Sequence, residues 1–167
     1  MGDEALQLKK LTPEGVKAAL EKAELYRLLN EPEAAESICL DILELEAENQ
    51  QALRAIVLSI TDQFSSGGGS RQVKRAKGYA KSLTDKYEQV YYQGLICERE
   101  AKGYLTRGMS SQFAYEGFRA AMDHYEEAET MRPAGNDDAI LRYNSCLRII
   151  QKEGLKPIQR TSELPLE

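Results

Sequence analysis

The stretch FRAAMDHYEEAETMRPAGNDDAILRYNSCLRII, Phe118 to Ile150, decides how this chain reads. Its residues Phe118, Ala121, Tyr125 and Ala128 recur in steps of three and four, which puts all four on one face of an α-helix. That face is predicted to be buried. Ala121 lets a neighbouring helix come close, while Phe118 and Tyr125 supply apolar area. Pro133 has no amide hydrogen with which to continue the helix, and Gly135 tolerates positive φ. Asn136 can cap a second helix, with Asp137 and Asp138 favourably placed against its N-terminal dipole. Two antiparallel helices follow.

Upstream, Ala35, Cys39, Ile42 and the turn LELEAEN at Leu43 to Asn49 fall into the same frame. The spacing aromatic, Ala, Tyr, Ala, Pro seen at Phe118 to Pro133 resembles the second half of a tetratricopeptide repeat, a resemblance that covers roughly residues 12 to 152. The earlier copy departs from the family pattern: Ala47 stands where proline is usual, and Lys22 and Asn30 where leucine and glycine are common. The resemblance implies an all-α fold of antiparallel helical hairpins stacked as a TPR-like α-solenoid, about seven helices long. A compact irregular bundle is the competing architecture, because inserted loops spoil regular stacking. Ala35 and Ala121 stand about 86 residues apart, against about 68 for two repeats of 34. The surplus is expected in the loops near 65–70 and 106–112 and in a lengthened fifth helix.

The expected division is a polar lead-in over residues 1–11, a helical domain over 12–155, and a tail over 156–167. Within the domain, Thr12 and Pro13 start the first helix and Asn30 to Pro32 turn into the second. Gln50 to Phe64 forms a core helix. After SSGGGS at Ser65 to Ser70 comes a fourth helix with Val73, Ala76, Ala80 and Leu83 on one side, and Arg71, Lys74, Arg75, Lys77 and Lys81 on the other. The fifth runs from Tyr87 to about Leu105, with Gly94 at the family's small position. Gly154 and Pro157 end the last helix.

With 42% hydrophobic and 29% charged residues in 167, the composition is that of one soluble domain. The longest apolar runs, such as Ala55 to Leu58, fall far short of the roughly 20 residues that span a bilayer. The N-terminus MGDEALQLKK has neither signal-peptide order nor the Ser or Thr that a myristoylation signal carries at position 6. A cytoplasmic protein is expected, without a membrane partner. The net charge of −5 is uneven: residues 51 to 107 are basic and both flanks acidic. That alternation suits head-to-tail pairing of subunits or an acidic partner.

Catalytic constellations are absent from the sequence. His124 is the one histidine, and Ala121 occupies the position three before it, where a carboxylate-bridged metal bundle needs glutamate. Cys39, Cys97 and Cys146 lie too far apart for a CxxC ligand pair and read as buried apolar residues. No metal or cofactor is expected. Gly67, Gly68 and Gly69 precede the basic helix, so the plain reading of Ser65 to Ser70 is a flexible connector. The sharper one is an anion site in which helix amides, Arg71 and Lys74 hold a phosphate or carboxylate. The strand and GxxxxGK[ST] of a nucleotide-binding P-loop are missing. A nucleic-acid partner is disfavoured, since the chain is acidic overall and has no RNA-binding motif.

Carried over residue by residue, the family frame points Leu20 and Glu24, Arg54 and Leu58, Tyr91 and Leu95, then Ile140 and Asn144 into a concave groove. It lacks the Lys-Asn-Lys-Arg set with which some family members clamp a C-terminal carboxylate. The function implied is a non-enzymatic protein–protein interaction module whose partner segment contacts Arg54, Leu58, Tyr91, Leu95, Ile140 and Asn144. The alternative is a structural or self-associating subunit, a homo-oligomer or a chain whose tail fills its own groove.

Overall fold

The computed structural model describes residues 5–109 and 111–159. Residues 1–4 of the lead-in, Ser110 of the second connection, and residues 160–167 of the tail, with Leu164, Pro165 and Leu166, lie outside the described residues.

Pro13 opens a 3-10 turn that runs directly into α1, Val16–Leu28, and Asn30 reverses the chain at positive φ. Proline also starts α2, Pro32–Leu45, at a position where its missing amide hydrogen costs nothing. Asn49 caps α3, Gln50–Thr61, by accepting a hydrogen bond from the Ala52 amide at 2.9 Å. A second 3-10 turn, Phe64–Ser66, leads to α4, Gly69–Lys81, and Asp85 caps α5, Lys86–Thr106. Then come α6, Ser111–Met131, and α7, Asp138–Glu153, which Gly154 ends in the left-handed conformation. The described residues form these seven α-helices and no strand.

Three expectations need correction. The core helix stops at Thr61, not Phe64, and the glycine stretch is only partly loop, since α4 already begins at Gly69. The connection expected over Thr106 to Gln112 is shorter than that, because α5 runs to Thr106 and α6 starts at Ser111. Both helices have 21 residues, against 13 and 14 in α1 and α2, so much of the surplus length is helix. Helix extension keeps every added backbone group hydrogen-bonded, which a longer loop does not.

Each helix packs on the next in sequence, and α1 touches α3 as α3 touches α5. The most extensive contact joins α5 to α6, and the sequence shows why. A Cβ added at Gly94 would lie 2.8 Å from the Tyr125 ring, and one at Gly117 would lie 2.8 Å from the Ala101 Cβ. Two glycines, one on each helix, therefore set the helix separation. The core divides at α5. Val90, Ala101, Phe118, Met122, Tyr125 and Cys146 pack on one side of it, while Ile96 joins Ala35, Ile56, Ile60, Phe64 and Ala80 on the other.

Candidate functional site

The residues expected to line a groove are only partly available to a partner. Leu95 is fully buried and cannot contact one in the folded chain, because α5 is covered on both sides where the frame assumed one open side. Tyr91 is half-buried, stacked on Tyr87 at 5.8 Å, edge-on to Tyr92 at 5.3 Å and tilted against Tyr125 at 5.8 Å. Arg54 donates to both carboxylate oxygens of Glu88 at 3.1 Å, which ties α3 to α5. Leu58, Ile140 and Asn144 are half-buried, and Leu20 is half-buried where Glu24 is exposed.

One turn further along the same helices, sequence reasoning missed a charged network. Arg27 on α1 and Arg99 on α5 both pair with Asp62, which follows α3. Arg99 also donates to the Thr61 hydroxyl at 3.2 Å. Asp62 and Arg99 lie four residues beyond Leu58 and Leu95, so extending the frame by one turn would have found them. Beside this network sits Glu98, 0% exposed. One carboxylate oxygen accepts from Arg142 at 3.0 Å and Lys102 at 3.2 Å, and the other accepts from the Cys146 thiol at 3.3 Å. A buried carboxylate needs such partners, because desolvation otherwise outweighs any packing gain. Burial first, then the Glu98 charge and hydrogen bond, push the Cys146 thiol up, so it stays a donor. Arg142 is pulled the other way by burial, but Glu98 and Tyr91 outweigh that and its guanidinium holds its proton more tightly than usual.

A polar pocket of about 260 Å³ opens at this network, lined by Thr61, Asp62, Arg99, Lys102, Thr106 and Arg142 among others. A larger cavity of about 600 Å³ lies between α4 and α5, where Phe64, Val73 and Tyr104 meet Arg71, Lys74, Lys77 and Arg107. The second brings together the glycine stretch, Arg71 and Lys74, as the anion-site reading requires.

His124 is half-buried, and burial lowers its pKa. The described residues gather no group of three or more His, Cys, Asp or Glu side chains suited to a metal. All three cysteines are free; burial pushes the Cys39 thiol up to about 12 and raises Cys97 as well. No described helix is long and apolar enough to cross a membrane.

No known family model, curated protein or solved structure matches this chain. The functional reading therefore rests on the site's own geometry.

Proposed function

We propose that this chain is a cytoplasmic, non-catalytic protein-interaction module, built of TPR-like hairpins stacked in sequence, that holds a short acidic partner segment across its odd-numbered helices. The stacking is supported by the order of helix contacts, each element on its successor and α1, α3 and α5 side by side. The observation that carries the function is the polar pocket at the end of that row. Its lining has three cations, Arg99, Lys102 and Arg142, against Asp62 as the single carboxylate, with Glu98 buried behind. Each cation already has one carboxylate, Asp62 or Glu98, and a partner segment carrying carboxylates would share them from the pocket side while its apolar residues meet Leu58 and Tyr91 on the turns before. Charge complementarity of this kind orients a partner and speeds its approach more than it adds affinity.

The test is site-specific photo-crosslinking from position 58 in the full chain, with the captured segment read by mass spectrometry. The expected product is an acidic segment of another protein. Its yield should fall about tenfold in Lys102→Gln, since a charge-assisted hydrogen bond accounts for roughly that ratio. Crosslinks to residues 156–167 or to a second copy would replace this reading with the self-associating one. Crosslinks indifferent to Lys102→Gln would remove the pocket from the function.

A further inference from the structure

The larger cavity plays no part in the partner-segment reading, and its chemistry is different. It lies between α4 and α5, which the Gln93 side chain joins on the side nearer their connecting turn by donating to the Lys77 carbonyl at 3.3 Å. Toward the other end the 3-10 turn at Phe64 is wedged between them. Gly103 admits that wedge, since a Cβ there would lie 3.3 Å from the Phe64 carbonyl oxygen, and Arg107 fixes it by donating to the same oxygen at 2.9 Å. Behind the wedge remains a space of about 600 Å³, which falls within the range of small-molecule sites, roughly 300–1,000 Å³.

The lining is amphipathic. Phe64, Val73 and the Tyr104 ring form an apolar wall, with the Arg107 guanidinium 5.8 Å from the Tyr104 centroid. Around it stand Arg71, Lys74, Lys77 and Arg107, against one acid, Glu100, whose carboxylate already accepts from the Tyr104 hydroxyl at 2.6 Å. Among the described residues Arg71, Lys74 and Lys77 form no ion pair, although Arg75 beside them reaches Glu36 at 2.8 Å. In a chain of net charge −5, acids were available to neutralise them. Cations gathered round a low-dielectric cleft repel one another and concentrate counter-ions inside it.

We propose that this cavity binds a phosphorylated small molecule of nucleotide size. Its phosphates lie among Arg71, Lys74 and Lys77, and its flat apolar portion lies against Tyr104. Phosphate is favoured over a single carboxylate because three uncompensated cations match a multiply charged anion. The apolar wall favours a ligand with a planar body over free phosphate.

Calorimetric titration with ADP, pyrophosphate and adenosine separates these contributions in the intact chain. ADP should bind most tightly, pyrophosphate more weakly, and adenosine not measurably; added salt should weaken ADP binding. Lys74→Glu and Arg71→Glu should each weaken ADP by at least about tenfold. Both side chains are exposed, so an unchanged thermal midpoint should accompany each loss. Tyr104→Ala should reduce the ADP preference over pyrophosphate. Absence of ADP binding at millimolar concentration would overturn the proposal, as would ADP binding untouched by the charge reversals. A single-stranded oligonucleotide that binds these cations without displacement by ADP would also overturn it, in favour of a nucleic-acid surface. None of these outcomes depends on whether the polar pocket holds a protein segment.

Discussion

The Tyr125 hydroxyl is buried against α5 with no hydrogen-bond partner among the described residues, although Glu98, Cys146 and Arg142 are near enough to act on it electrostatically. Those three groups are already satisfied by one another. Burial pushes the Tyr125 phenol up, so the hydroxyl stays neutral and bears the desolvation cost alone. The ring, in contrast, is needed: it fills the space that Gly94 leaves, with the nearest ring carbon 2.8 Å from where a Cβ would be. Tyr125→Phe keeps the ring and removes the orphaned group, so it should leave stability unchanged or raise it by about 1 kcal/mol in urea unfolding. A loss of more than about 1 kcal/mol would mean that the hydroxyl has a partner and that the Glu98 cluster extends to it.

Among the elements, α6 was the most legible, because Phe118, Ala121, Tyr125 and Ala128 are all buried as their spacing requires. Ala121→Leu should cost about 1 to 3 kcal/mol by overpacking, and Ala120→Leu, on the exposed side, little. Equal denaturation midpoints for the two variants would contradict the packing seen here. The proline boundary was also readable, since Pro32 opens α2; α7 is capped at Asp137, one residue after the expected Asn136, whose side chain still accepts from the Asp138 amide at 3.0 Å. The start of α6 was not readable. Ala114 continues the buried stripe one turn before Phe118, but a single alanine is a faint signal, and the helix there is held by tertiary contacts, Gly117 against Ala101 and Phe113 against Tyr104. At the candidate site, which of the residues named by the frame stay open depends on what covers α5 from both sides. Leu95 was lost to the core by that coverage, and Arg27, Asp62 and Arg99 were overlooked because charged residues near helix ends usually read as solvated.

Over the whole molecule, burial is uneven, and stability should follow it. Of α1 only Val16 and Ala23 are buried, while Leu25, Leu28 and Leu29 are exposed. Helices α5 and α6 share the larger core and the two glycine contacts, and α7 joins them through Arg142 and Cys146 on Glu98. Local opening free energies range from near zero at poorly anchored elements up to the global value in the core. Native-state hydrogen exchange should therefore find α5 and α6 slowest, with opening energies approaching that of global unfolding, and α1 much faster than either. The Arg27 to Asp62 bridge limits the difference, but both side chains are partly exposed and salt screens such a pair. Repeating the exchange over a range of protein concentrations separates the two architectures of function. A module that binds a foreign segment leaves α1 fast at every concentration. A subunit that self-associates through the exposed Leu25, Leu28 and Leu29 buries them against a second copy, so α1 then slows as concentration rises while α5 and α6 do not change. Slow exchange in α1 at the lowest concentration would contradict the burial pattern itself.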